Sequence, residues 1–371
     1  MKVALVHDYI KEYGGAERVL ETLHEMYPEA PIYTAFYDKK STAYTHFKNA
    51  KIISSWFGML PYAGRLASPL RFLTPFIWGS FDLSGYDVVI SSASWYITKG
   101  FGIRGSNKEK PIEVCYCHTP PRWLYGYNTS VNFQKYGIVA LYARIVGHFL
   151  RKYDITQAQK VDTFIANSKE TQARIKKFYK RDSIVIYPPV SLPSVGNVVK
   201  EDYYLIVSRI VGAKGLEMAV EAAFKGGFRL KIAGSQAGYF NLDALKRNAK
   251  GTVEFLGHVS DEELAKLYKG AKAFLALAKD EDFGITPVEA MMSGTPVVAF
   301  NGGGYKETIV DKKTGLLFDE YSVGGLLKAI EEFENLQIKP VDCIQQAQKF
   351  SKENFIEKIR SVISSTSANS V

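Results

Sequence analysis

The stretch EDFGITPVE sets two carboxylates eight positions apart, Glu281 and Glu289, around Phe283-Gly284 and Thr286-Pro287. The run AKAFLALA before it suits a buried strand; AMMSGTPVVAF after it suits a short helix, a stopping glycine and another strand. Thr286-Pro287-Val288-Glu289 reads as a capping box with proline at the first helical position, the Glu289 carboxylate returning to the Thr286 amide. That accounts for Glu289 by structure alone. Glu281 has no such account. It precedes irregular backbone whose amides, backed by a helix dipole, would face a ligand. An acid beside a phosphate grip is repelled, so Glu281 points to neutral hydroxyls, as on a sugar.

Other residues carry weaker signals of the same kind. SRIVGAKG puts Arg209 and Lys214 on a loop after a strand, where cations grip phosphate oxygens, although a solvated charged loop reads equally well. HDYIKEYGGAERVL puts Gly14 and Gly15 between a strand and a helix, where amides approach an anion or simply make a tight turn. The spacing is not G-x-G-x-x-G, which removes support for a dehydrogenase-type dinucleotide fold. In YCHTPPRW, His118 ends an apolar strand, suited to bonding a substrate hydroxyl or stabilising charge; a histidine satisfied by backbone carbonyls is the bland alternative. Arg122 meets a phosphate or pairs with a carboxylate.

The elements that position these residues follow from the patterning. The 371 residues are 46% hydrophobic and 23% charged, ordinary values for a globular protein of two domains. Strand-like runs alternate with amphipathic helices, the signature of parallel α/β layers. KVALVHDY, YDVVISSAS, EVCYCHT, TFIANS and SIVIYPPV are strands of the first half, with a helix at AERVLETLHEMY. After a turn-rich linker at SLPSVGNVVKED, YYLIVSR, FRLKIAG, VEFLG and AFLALA continue the alternation, with helices LEMAVEAAFKG, LDALKRNAK and DEELAKLYKGA between. The stretch DCIQQAQKFSKENFIEKIRSVISS is helical and amphipathic and must pack on something. Two doubly wound domains, 1–190 and 201–345, joined by 191–200, are expected to face each other across a cleft, with the helix 346–371 packing back on the first.

Charge is uneven. Through Val190 there are 25 Lys and Arg against 15 Asp and Glu; beyond it the balance is 22 against 23. A basic half beside a neutral half predicts an anionic partner for one domain. No RNP run, helix-turn-helix or zinc-finger pattern supports nucleic acid, and an anionic membrane surface or a lipid phosphate fits as well. Residues 55–82 combine aromatics, Leu and Pro with Arg65 and Arg71 and no acid before Asp82. They read either as a buried helical pair or as a segment dipping into lipid headgroups near those arginines. No apolar run reaches spanning length, and MKVALVHDYI reads as a first strand rather than a signal peptide. The cysteines Cys115, Cys117 and Cys343 lack zinc-ligand spacing and read as reduced thiols.

Together, E-x7-E in EDFGITPVE, EYGGAE, SRIVGAKG, FLGHVSDEEL and GGGYKETIVDKKTGLLF resemble the family 4 retaining glycosyltransferases of GT-B fold. HDYI, FDLSGYDVVISSAS and YCHTPPRW resemble most the subgroup of bacterial mannosyltransferases that build O-antigen and related polysaccharides from GDP-mannose. The resemblance covers essentially the whole chain. It implies that Gly14 and Gly15 lie against the donor diphosphate and that Arg209 and Lys214 neutralise it as it leaves. Glu281 would bind donor-sugar hydroxyls, and the amides of Phe283, Gly284 and Ile285 would touch sugar and diphosphate. Glu289 would hold the ribose, Val259 would present backbone to the base, and His118 would sit by the reacting carbon and the 6-hydroxyl.

Arg122 would lie on the acceptor side. No metal or other cofactor is implied. The partners implied are a nucleotide-sugar and a lipid-linked or oligosaccharide acceptor, at a cytoplasmic location that includes peripheral contact with the inner face of the membrane. Two departures stand out. WLYGY follows Arg122 where relatives carry an aromatic and then an acidic residue, and Gly215 follows Lys214 where they often carry a second arginine. The rival readings are a UDP-sugar transferase of the same fold, an epimerase or phosphorylase, and a silent partner subunit.

Overall fold

Short apolar runs rich in Val, Ile, Leu and Phe form two all-parallel sheets, because strands covered on both faces gain most from continuous rather than alternating apolar sequence. The computed structural model describes residues 1–101, 111–127, 137–236, 242–249 and 251–368. It divides into two units, one running to Pro189 and resumed at Lys352, the other Val190–Ser351. No helix among the described residues is long and apolar enough to cross a membrane.

The first unit holds β1 (Val3–His7), β2 (Ile32–Thr34), β3 (Ile52–Ser54), β4 (Val88–Ala93), β5 (Ile112–Cys117), β6 (Thr163–Ala166) and β7 (Ile184–Val185). Their order is β3-β2-β1-β4-β5-β6-β7. β1 and β4 are buried throughout and pair in register from Val3–Val88 to His7–Ser92. The chain order reverses direction between them, so their carboxyl ends open a crevice of the kind that binds ligands in such sheets.

The helix Lys352–Ala368 packs on this unit: Phe355, Ile359, Val362 and Ile363 join Val3, Leu5, Leu20 and Tyr116 in one core. The stretch expected as one continuous helix is two, Pro340–Gln348 and Lys352–Ala368. Between them the Phe350 carbonyl accepts the Val190 amide at 3.0 Å, a backbone bond that diverts the chain from helical pairing. SIVIYPPV pairs over only two residues, because prolines lack the amides a ladder needs.

The second unit holds β8 (Tyr204–Val207), β9 (Leu230–Ala233), β10 (Val253–Gly257), β11 (Ala273–Ala276), β12 (Val297–Phe300) and β13 (Gly315–Phe318), in the order β10-β9-β8-β11-β12-β13. Its switch point lies between β8 and β11, paired at Ala273–Tyr204. The cysteines Cys115, Cys117 and Cys343 are buried, and none of them is in a disulfide.

Residues 55–82 form short helical turns whose inner side, Phe57, Ala63, Ala67, Ile77 and Trp78, is core. Met59, Tyr62, Phe72 and Phe76 remain exposed on the other side. Arg71 departs from the headgroup role expected of it. Its guanidinium lies 4.7 Å from the Trp95 ring centre and 4.3 Å from that of Trp123, and it donates to the Ser68 carbonyl. Arg65 is exposed and lies over Tyr62.

Candidate active site

In the second unit, the loops leaving β8, β11 and β12 converge. Lys214 sits on the turn after β8, and Glu281 on the loop after β11. The Lys214 Nζ donates to a Glu281 carboxylate oxygen at 2.6 Å, with both side chains partly exposed. Tyr305 donates to the same carboxylate at 3.5 Å. Burial, with Glu281 beside it, holds that phenol well above its usual range, so it stays a donor.

Two glycine loops make the approach possible. Gly303 adopts φ +52, and a Cβ there would overlap the Glu281 carbonyl oxygen. The amide of Gly304 donates to that same carbonyl at 2.8 Å. Gly284, at φ +87, leaves room for the Tyr305 ring, which a Cβ would meet at 2.7 Å. The left-handed conformation is open to glycine at no steric cost.

Gly284 also corrects the expected capping box. The helix runs Ile285–Met292 with Gly284 as its N-cap, two residues before Thr286, and no side chain caps it. Its first amides therefore stand at the helix end beside Glu281, where a dipole favours negative charge. The Glu289 carboxylate is buried and accepts from the Tyr268 hydroxyl at 2.7 Å. The two glutamates thus separate: Glu281 is presented outward, and Glu289 is held inside.

Phe283 gives its side chain to the interior, packing on Phe350 at 5.4 Å, so its backbone is what faces the loop. Arg209 is exposed on the loop after β8, and Val259 is half-buried two residues after β10. Gly215 packs closely on the end of β11: a Cβ there would meet Leu277 at 2.8 Å, which explains why no second arginine follows Lys214.

In the first unit, His118 leaves β5 buried. Its Nε2 lies 2.8 Å from the Ser92 Oγ, which lies 3.0 Å from the His7 Nδ1. The His7 Nε2 lies 3.5 Å from one Glu17 oxygen, while the other accepts the Gly14 amide at 3.0 Å. A carboxylate only accepts. His7 Nε2 therefore donates, His7 Nδ1 accepts from Ser92, and Ser92 accepts from His118 Nε2. This sequence leaves His118 Nδ1 as an acceptor. Burial, and then the neighbouring His7, lower the His118 pKa to about 3, so the ring is neutral near pH 7 and offers a hydrogen bond rather than a charge.

Gly14 is the N-cap of the helix Gly15–Met26, completed by Glu17 rather than by a side chain of its own. Asp8, buried, accepts from the amides of Trp95 at 2.5 Å and Tyr96 at 3.2 Å and fixes the loop after β4. Arg122 opens the short helix Arg122–Tyr125 and is half-buried. His7, Asp8, Glu17, Ser92 and Tyr305 were not among the residues expected from sequence. His7-Asp8, at the end of β1 and six positions before the glycine pair, was the signal available for the first two; Ser92 becomes visible only through strand pairing, and Tyr305 only through the packing of its loop on Glu281.

Residues 189–350 match the family described as Glycosyl transferases group 1. The alpha-1,3/1,6-mannosyltransferase ALG2 of Mus musculus is 25% identical over 93% of this chain and 92% of its own length. The uncharacterized glycosyltransferase MJ1178 of Methanocaldococcus jannaschii is 27% identical over 58% of this chain, and the match spans 60% of that relative. The crystal structure of Anabaena HepE in complex with UDP and glucose superposes with a TM-score of 0.71 at 18% identity, covering 98% of this chain and 100% of that one. The two parallel sheets have the GT-B fold of the similar solved structures, and residues 189–350 carry the likeness to the Glycosyl transferases group 1 family.

Proposed function

We propose that the chain is a retaining hexosyltransferase of family 4. In this reading it moves mannose from GDP-mannose onto a lipid-linked or oligosaccharide acceptor in polysaccharide biosynthesis. The observation that carries the reading is the Lys214–Glu281 pair at the β8/β11 switch point, beside the uncapped amides of the helix Ile285–Met292. A cation and free amides answer a diphosphate, and a carboxylate answers sugar hydroxyls. The similarity to ALG2 across nearly the whole chain supports mannose as the sugar.

The bond between the anomeric carbon and the diphosphate oxygen breaks while the acceptor oxygen bonds that carbon on the same face. The acceptor proton passes to a diphosphate oxygen. Arg209 and Lys214 neutralise the charge that builds on the diphosphate, in place of a metal, and this preorganised electrostatics supplies most of the acceleration. Glu281 orients the sugar hydroxyls, and Gly14, Gly15, Phe283, Gly284 and Ile285 contribute backbone to the donor. Neutral His118 accepts a sugar hydroxyl through Nδ1. Val259 backbone meets the base, and Glu289 shapes the ribose end from within. Arg122 serves the acceptor side. The enzyme works in the cytoplasm, against the inner face of the membrane.

A UDP-sugar donor is the second reading, favoured by the UDP and glucose in the HepE complex. A thermal-shift panel of GDP, UDP, ADP and their sugars separates the two, since a ligand binding only the folded state raises Tm by mass action. Stabilisation by GDP and GDP-mannose is expected; a larger shift with UDP overturns the mannose assignment.

A further inference from the structure

The helix Gly137–Ala158 has an outward face that solvent alone does not explain. Its inner side is fixed. Leu150 is core, and Asp154 is fully buried in an ion pair with Lys99, accepting also from Tyr125 at 2.7 Å. At 100° per residue, Leu141, Arg144, Ile145, His148, Phe149, Lys152 and Ile155 then share an opposite arc of about 140°. Phe149 is 67% exposed, Leu141 56% and Ile145 51%. A helix of a water-facing surface carries polar residues there, and a run of large exposed apolar side chains marks an interaction site.

The charges on this face have one sign. Arg144, His148 and Lys152 lie among the apolar residues, and the acid nearest them on the helix, Asp154, points inward. The Tyr142 hydroxyl donates to the Pro69 carbonyl, tying the helix to the segment that exposes Tyr62, Phe72, Phe76 and Arg65. A protein partner needs no such segregation, whereas an interface of acyl chains and anionic headgroups matches apolar tips set among cations.

We propose that the outward face of Gly137–Ala158 is a docking surface for an anionic lipid bilayer, with Leu141, Ile145 and Phe149 entering the acyl boundary and Arg144 and Lys152 meeting headgroup phosphates. This deepens the lipid-linked acceptor reading and rests on it for its purpose, but binding to a bilayer requires neither donor nor acceptor. The two readings therefore fail separately.

The test is flotation of the full chain with phosphatidylcholine vesicles, with and without phosphatidylglycerol. Binding to the anionic vesicles is expected to weaken with salt. It should fall at least tenfold in Phe149→Ser/Ile145→Ser, and roughly fivefold for each cation removed in Arg144→Gln and Lys152→Gln. These side chains are exposed, so an unchanged thermal midpoint shows that the variants fold, and transfer to a water-soluble acceptor should be retained. Absence of binding to anionic vesicles, or binding that the variants leave intact, overturns the proposal. So does sedimentation of the wild type as a dimer that Phe149→Ser dissociates, which would make the face a contact between two copies.

Discussion

Both sheets bring their chemistry to the carboxyl ends of the strands at a switch point, but they equip that position in opposite ways. In the first unit the groups are buried and joined by hydrogen bonds: His118 is held by Ser92, Ser92 by His7, and His7 by Glu17. In the second they are ionic and half-exposed, with Lys214 and Glu281 paired on glycine loops. A buried chain of hydrogen bonds fixes direction, deciding which nitrogen accepts. An exposed ion pair offers charge that an entering ligand can redistribute, exchanging Lys214 from carboxylate to phosphate. The first arrangement is costly to break and slow to change; the second is made to be rearranged.

If that contrast is right, removing the ionic pair is the largest single blow to transfer and a small one to stability. Lys214→Ala is expected to lower kcat on the order of 10²–10³-fold, the range for losing a group that stabilises developing charge, and Glu281→Ala on the order of 10²-fold, the cost of losing a group that positions the sugar. A partly exposed pair contributes only about 0–1 kcal/mol to folding, so Tm should barely move. Turnover rates checked against calorimetry would break the comparison if activity survived or if the fold collapsed.

Gly303→Ala tests whether the glycine loops, rather than the ions themselves, set the position of Glu281. The new methyl would overlap the Glu281 carbonyl oxygen and strain a left-handed backbone, at a cost of about 1–3 kcal/mol. Transfer is expected to fall on the order of tenfold to a hundredfold, since a displacement of about 1 Å in a positioned group costs that much. A lowered Tm with unchanged kcat would show that Glu281 needs no such placement.

Ser92→Ala addresses the first unit. It strands His7 and His118 without their shared partner, at roughly 1–3 kcal/mol of stability. It also frees the His118 tautomer, with a loss of transfer on the order of tenfold. Ser92→Thr keeps the hydroxyl and should recover the rate if direction is what the serine supplies. Nitrogen-15 shifts of the imidazoles check it: wild-type His118 should carry its proton on Nε2, and a mixture of tautomers is expected in the alanine variant.

The legible part of this molecule is what depends on local sequence. Apolar runs marked most of the strands, and E-x7-E with SRIVGAKG marked the loops that carry the ions. What escaped depends on distant neighbours. Thr286 was a reasonable N-cap by type, but Gly284 preceded it because Tyr305, twenty-one residues on, needed the space of a missing side chain. Arg71, in an aromatic, acid-free segment, read either as part of a buried pair or as a headgroup contact until Trp95 and Trp123 enclosed it. The helix Gly137–Ala158 carries apolar residues on both its faces, so no narrow stripe announced it. Ser92 is an ordinary strand serine until pairing sets β1 and β5 on either side of it.

The smallest expected effect is one that neutral pH does not reveal. Burial, with His7 nearby, lowers the folded pKa of His118 to about 3, whereas an unfolded histidine titrates near 6.5. Above about pH 6.5 the ring is neutral in both states and contributes its full stability. As pH falls from there toward 3, the unfolded chain takes up a proton that the folded chain refuses, and stability is lost at up to about 1.4 kcal/mol per pH unit. By pH 5 the loss attributable to this ring is on the order of 2 kcal/mol. His118→Gln keeps a neutral polar group and removes the titration, so its Tm should fall less steeply between pH 7 and pH 5 than that of the wild type. Parallel Tm profiles for the two would mean that the ring titrates freely, and that the first unit is no more closed than the second.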